Sequence, residues 1–261
     1  MYHGVNDSTS RVHPYFETNT SPAVFAQQME YLYDQGYNPV DLDSAFRMIV
    51  SGNVAHKAVA ITFDDGFHDF YSHALPVLSS YGFPATMFVV SDLVGTRPKR
   101  FGEKTTMSWA ELREIQSLGI QIGSHTATHP VLRQLDLGRV EEEIKLSKLT
   151  IEDQMRSPIT SFSYPYAFPE QDHAFVACLK RFMKEAGYEC GVTTVLGTAG
   201  QSSNRYCLPR IPMNTYDDAA LFQAKLESAY DWLRMPQMAY KIVSDVCMPG
   251  SRRSNVVGLT S

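Results

Sequence analysis

No apolar run in this chain approaches the roughly 20 residues needed to cross a bilayer, so no membrane span is expected. Positive charge is also scarce: 23 Lys and Arg against 28 Asp and Glu give a formal net charge of −5, with a pI near 5.9. That balance argues against a nucleic-acid partner, and anionic polymers are not favoured either. The four cysteines, Cys178, Cys190, Cys207 and Cys247, form no C-x-x-C pair. A structural zinc site and a thioredoxin-type centre are thereby disfavoured, and free buried thiols are the expectation. There is no internal repeat and no low-complexity block. Met1-Tyr2-His3-Gly4 is not preceded by the basic segment and apolar core of a signal peptide. As written, the chain is expected in the cytoplasm, the alternative being an exported protein truncated at its N-terminus.

At 261 residues and 29.3 kDa, with 44% hydrophobic and 20% charged residues, the chain suits one α/β domain better than two. Ser21-Pro22 opens a helix whose apolar face is Val24, Phe25, Met29, Leu32 and Tyr33, up to Gly36. A strand over 37–42 and a helix to Gly52 follow. Ala58-Val59-Ala60-Ile61-Thr62-Phe63 reads as one buried strand, with a helix over 69–81 and a strand over 85–90 after it. Ser108-Trp109-Ala110-Glu111 has the form of a capping box and begins the helix that leads to Gly119.

A long helix over 136–155 carries Leu137, Val140, Ile144, Ile151 and Met155 on one side. Glu141, Glu142, Glu143, Lys145 and Lys148 form its solvated side. Strands over 159–164, 188–195 and 206–213 and helices over 172–186 and 217–232 complete the pattern. This alternation predicts a parallel sheet with helices outside it. Residues 1–244 are expected to form the domain, and 245–261, rich in Pro, Gly, Ser and Arg, a polar tail.

Two segments stand out at strand ends: Thr62-Phe63-Asp64-Asp65-Gly66 and, about sixty residues on, His125-Thr126-Ala127-Thr128-His129. Alone, Asp-Asp-Gly is most simply a turn, and an H-x3-H pair most simply surface or core histidines. Together, each closing a predicted strand, they supply a metal site and a base. Strand alternation would point the two carboxylates in different directions, one to a cation and one to a substrate. Two imidazoles at this spacing can converge from one turn.

These two segments resemble, in sequence and in order, the first two motifs of the NodB-type polysaccharide deacetylases, carbohydrate esterase family 4. The resemblance extends over most of the chain and implies a distorted (β/α)7 barrel. It implies that Asp64 is the catalytic base and that Asp65, His125 and His129 hold one divalent metal ion. Zinc is the first choice, with cobalt, nickel and iron(II) also suited to the donor set. Such an ion lowers the pKa of bound water to near 7 and polarises the acetyl carbonyl.

Ser163-Tyr164-Pro165-Tyr166 occupies the place of the third motif, usually Arg-x-Pro-Tyr, whose tyrosine N–H helps hold the oxyanion; Tyr166 is thus a substrate-binding candidate. Ser163 replaces the arginine, and Arg210, in Leu208-Pro209-Arg210-Ile211-Pro212, is the candidate to supply its charge; it too is placed in the substrate site. The late Leu-x-His motif that provides the general acid has no match, since no histidine follows His173. Tyr2-His3-Gly4-Val5 resembles the opening of the circularly permuted poly-N-acetylglucosamine deacetylase branch, which makes His3 the candidate acid.

Trp109, Tyr164 and Phe168 are read as core residues before sugar platforms. His13 and His56 are read as loop residues, and His68, His73 and His173 as exposed or core ones. The implied reaction removes N-acetyl groups from N-acetylglucosamine-type sugars of a polysaccharide or glycan precursor, releasing acetate. Hydrolysis of another amide, a cyclic ureide or formamido sugar, is the alternative, as is a weakly catalytic carbohydrate-binding relative.

Overall fold

The alternation of apolar and amphipathic runs becomes, in the computed structural model, a parallel sheet wrapped by helices; residues 1–8, 17–102 and 104–229 are described. Two short pairs, β1 (Gly4–Val5) with β2 (Asn19–Thr20) and β3 (Asn38–Val40) with β4 (Ala58–Ala60), accompany the main sheet. The main sheet comprises β5 (Thr62–Phe63), β6 (Thr86–Val89), β7 (Gln121–Ser124), β8 (Ser161–Ser163), β9 (Cys190–Leu196) and β10 (Leu208–Arg210). Its strands lie in chain order and pair in parallel throughout. The helices are α1 (Pro22–Asp34), α2 (Leu42–Ser51), α3 (Leu75–Tyr81), α4 (Trp109–Ser117), α5 (Leu137–Met155), α6 (His173–Glu185) and α7 (Ala219–Leu226).

The sheet curls into a half-barrel, and residues 1–2 lie across its opening. On one side Tyr2 N donates to Thr62 O at 2.8 Å and Tyr2 O accepts from Asp64 N at 3.0 Å. On the other, the Met1 nitrogen donates to Ile211 O at 2.9 Å and Met1 O accepts from Met213 N at 2.9 Å. Burial holds this stave in place, because the Tyr2 ring stacks on Phe63 at 5.3 Å and meets Phe25 edge-on at 5.2 Å. Its hydroxyl donates to Gln28 Oε1 at 2.7 Å. Gln28 therefore joins the buried face of α1 in place of Tyr33, which is 61% exposed and packs on Tyr81 at the surface.

Helix starts follow the local chemistry. Ser21, Asp41, Asp136, Asp172 and Asp218 each accept a bond from the amide three residues on, and both halves of the Ser108–Glu111 capping box form. Each cap contributes on the order of 1 kcal/mol.

Four expectations need correction. The run 58–63 divides at Ile61: β4 is half-buried and pairs with β3, while β5 alone joins β6, so one apolar run serves two different neighbours. The helix over 69–81 opens as a wide π-turn, Phe70–Ala74, just before Pro76, whose missing N–H breaks the regular ladder. The last helix stops at Leu226, with Ser228 at φ 60°, instead of running to 232. Glu143 is 4% exposed, not on a solvated face. Trp232, Cys247, His13, the boundary at 244 and the tail over 245–261 lie outside the described residues.

Candidate active site

Asp64 and Asp65 follow directly on β5, and their divergence comes from a turn, not from strand alternation. Asp64 is still paired, through its N–H to Tyr2 O, whereas Asp65 and Gly66 adopt left-handed φ values of 75° and 70°. The reversal sends the Asp64 carboxylate towards β8 and β10 and the Asp65 carboxylate towards the end of β7.

The chain leaves β7 with His125 N bonded to Val89 O at 2.9 Å, then turns through Thr126 at φ 68° to His129 at φ 58°. Left-handed backbone is costly for any residue with a Cβ, and most so for a β-branched one. Seven non-glycine residues are left-handed among the described residues, and Asp65, Thr126, His129 and Tyr166 are four of them. Strain is therefore concentrated at this one place in the fold. The Thr126 hydroxyl supports it by accepting from His129 N at 3.0 Å.

His125 and His129 bring their Nε2 atoms to 3.5 and 3.3 Å from Asp65 Oδ1. One donor atom from each residue lies within 4.8 Å of the others, and all three residues are buried. His125 Nδ1 lies 2.7 Å from Ser163 O. A carbonyl only accepts, so Nδ1 carries the hydrogen and Nε2 presents its lone pair. Asp65 Oδ1 is buried without a hydrogen-bond partner. A buried carboxylate oxygen facing two imidazole nitrogens suits a shared divalent cation.

Residues 51–191 match the polysaccharide deacetylase family profile. The chain belongs to the polysaccharide deacetylase family. YxkH of Bacillus subtilis (strain 168), which carries a polysaccharide deacetylase description, is 30% identical over 229 residues, 87% of this chain and 75% of its own. The poly-beta-1,6-N-acetyl-D-glucosamine N-deacetylase of Staphylococcus aureus (strain N315) is 26% identical over 212 residues, covering 77% and 69% of the two chains. Among solved structures, the Streptococcus pyogenes deacetylase PplD in complex with acetate superposes with a TM-score of 0.73 at 25% identity, covering 86% of this chain and 95% of that one. Membership makes this chain a hydrolase of the deacetylase type, acting on a carbon–nitrogen bond, and its relatives agree with the poly-N-acetylglucosamine branch.

The arginine that the third deacetylase motif lacks is met from β10. Arg210 forks Asp64, Nη1 donating to Oδ1 at 2.8 Å and Nη2 to Oδ2 at 2.7 Å, and both residues are buried. Its remaining N–H groups go to Thr193 O at 3.1 Å, Thr62 Oγ1 at 3.2 Å and Ser163 Oγ at 2.9 Å. Ser163 donates to Asp64 Oδ2 at 3.2 Å. All five N–H directions of the guanidinium are spent inside the protein, so Arg210 holds Asp64 and presents no donor to a substrate. Burial would raise the Asp64 pKa, but Arg210, with His125, overrides it and holds the carboxyl well below the usual range.

Tyr166 is 45% exposed beside the histidine pair, its ring 4.7 Å from His129, and its own N–H meets no protein acceptor among the described residues. His3 follows the Tyr2 stave and is close enough to feel the charges of Asp65, Asp64 and Arg210; burial depresses its imidazole pKa. Tyr164 and Phe168 are buried in the core. His68 is half-buried and bonds Glu111 at 3.1 Å.

Three contributors escaped the sequence. Phe101 lies edge-on to His129 at 5.1 Å, and Arg100 donates to His129 O at 3.1 Å and to Thr128 O, so the loop before α4 walls the site. Nothing local marks those two. Glu143 reaches the histidine turn from α5, and its i+3 and i+4 spacing from Val140 and to Ser147 was a usable signal that this position faces inward.

Proposed function

We propose that this chain is a metal-dependent N-deacetylase that removes acetyl groups from N-acetylglucosamine units of a polysaccharide or glycan precursor. The observation that carries the reading is the opposed use of two adjacent carboxylates. Asp65, with His125 and His129, forms a donor set for one divalent ion, zinc by preference. Asp64 is kept ionised by Arg210 and is free of that set. When bound, the ion supplies an activated water near neutral pH and a positive centre for the acetyl oxygen.

The chain's own groups do the rest. Asp64, fixed in orientation by the Arg210 fork and the Ser163 hydroxyl, accepts the proton of the attacking water. The Tyr166 N–H, which meets no protein acceptor among the described residues, steadies the oxyanion. His3 protonates the departing amine, in place of the missing late histidine. The complete Asp64 tether favours this reading over a weakly catalytic carbohydrate binder.

The test pairs elemental analysis of the purified protein with acetate release from N-acetylated β-1,6-linked glucosamine oligomers, chito-oligomers and a panel of formamido sugars and cyclic ureides. One ion per chain with acetate release from the acetylated glycans is expected. Turnover confined to the small amides would reassign the substrate, and a metal-loaded protein inert on every member of the panel would end the enzymatic reading.

A further inference from the structure

We infer that Glu143 of α5 is a positioning residue for the metal-ligand pair, one that sets metal affinity by holding the turn between His125 and His129. The inference rests on the metal reading above. Glu143 Oε2 accepts from Ala127 N at 2.9 Å and from Thr128 N at 2.8 Å, and Oε1 accepts from the Thr128 hydroxyl at 2.7 Å. All the recorded bonds of this buried carboxylate end on the three-residue link between the two histidines, and among the described residues no cation pairs with it.

The turn needs such a clamp. Thr126 and His129 are left-handed at φ 68° and 58°, a conformation that persists only where surrounding contacts over-determine it. The Thr126 hydroxyl bonds within the turn and so cannot position it relative to the barrel. Glu143 supplies an external reference from α5, beside the backbone bonds that Ser91 N and Asp92 N donate to Thr126 O at 3.3 Å and Ala127 O at 3.0 Å from the segment after β6. Its helix also abuts β7 through Ser147, whose hydroxyl accepts from Ser124 Oγ at 2.7 Å, so the last residue of the strand and the turn after it are registered against one helix face. Outer partners that orient ligands in this way typically change metal affinity by about 10–100-fold when removed.

The effect follows from hydrogen-bond geometry, which makes it separable from charge. In Glu143→Gln one amide oxygen can still accept from both backbone N–H groups, and the NH2 can donate to the Thr128 hydroxyl, so all three bonds survive without the negative charge. In Glu143→Ala none does. Thr128→Val removes one.

Zinc and cobalt(II) affinities are measured by chelator competition on the full chain, with the cobalt visible spectrum as a report on ligand geometry and melting of the metal-free protein as a folding control. Glu143→Ala should bind about 10–100-fold more weakly with an altered cobalt spectrum, Thr128→Val several-fold more weakly, and Glu143→Gln within a few-fold of wild type. If the alanine variant does not fold, the glutamine and valine variants decide between the same outcomes. Wild-type affinity in Glu143→Ala would overturn the inference, as would wild-type affinity in Thr128→Val where the alanine variant does not fold. So would equal losses in Gln and Ala, which would assign the effect to charge. A wild-type protein that binds neither ion would instead overturn the metal reading itself.

Discussion

Asp64 sits in a set of contacts that closes on itself, whereas Asp65, one peptide bond away and also buried, faces donors that do not complete one another. Around Asp64 both oxygens accept from the Arg210 fork, Ser163 adds a third bond, and the guanidinium has no unused N–H. Around Asp65 two imidazole nitrogens and an unpartnered carboxylate oxygen converge on backbone held in left-handed turns. Unpaired buried charge costs several kcal/mol, and a bound cation would offset that cost. The first arrangement is finished by protein alone; the second is the one that the proposed ion would complete.

The largest break in that comparison is at the second arrangement. His125→Ala should abolish binding of the divalent ion and, with it, all turnover; full metal occupancy after dialysis in that variant would remove the donor set from the site. In the wild type, chelation should lower the melting temperature, and in His125→Ala it should change nothing.

Asp64→Asn should do the converse, keeping the metal while activity falls on the order of 10²–10⁴-fold, the range for loss of a general base. Near-normal acetate release would move the base elsewhere.

His3→Ala sharpens the division of labour across the site. Its loss on a sugar N-acetyl group should be on the order of 10²-fold, while an activated aryl acetate, whose leaving group needs little protonation, should lose only a few-fold. Equal losses on both substrates would exclude His3 from proton donation.

Arg210→Lys gives the smallest effect, about tenfold in rate, because it keeps a charge and loses the fork. The pH profile is the more telling readout. With its guanidinium partner weakened, burial raises the Asp64 pKa. A base must be deprotonated to act, so the acidic limb of the rate profile should move to higher pH. An unmoved limb would mean that Arg210 does not hold Asp64 ionised.

Much of this was legible in the chain itself because it depends on neighbours in sequence. The capping box at Ser108 and the aspartate caps needed only residues three apart, and H-x3-H needed only one turn. Where a reading failed, a distant partner had intervened. The apolar run 58–63 announced burial but not that β3 and β6 would claim its two halves. Tyr33 lost its place on α1 to Gln28 because the hydroxyl of Tyr2 needed an acceptor in the core. Glu143 looked solvated in a run of charges, and only the strained turn opposite it explains a buried carboxylate there.

By itself, then, the sequence determined an alternating α/β chain, the strand ends on which the carboxylates and histidines stand, and the donor types that suit a divalent ion, since periodicity and spacing are local properties. Tertiary structure decided which of those groups would act together. Arg210 reaches Asp64 across 146 residues because β10 and β5 approach the same two-residue stave at the opening of the half-barrel. The two adjacent aspartates part company because a left-handed turn, not strand alternation, separates them. Such matches depend on how a sheet curls and closes, and that is set by packing over the whole molecule.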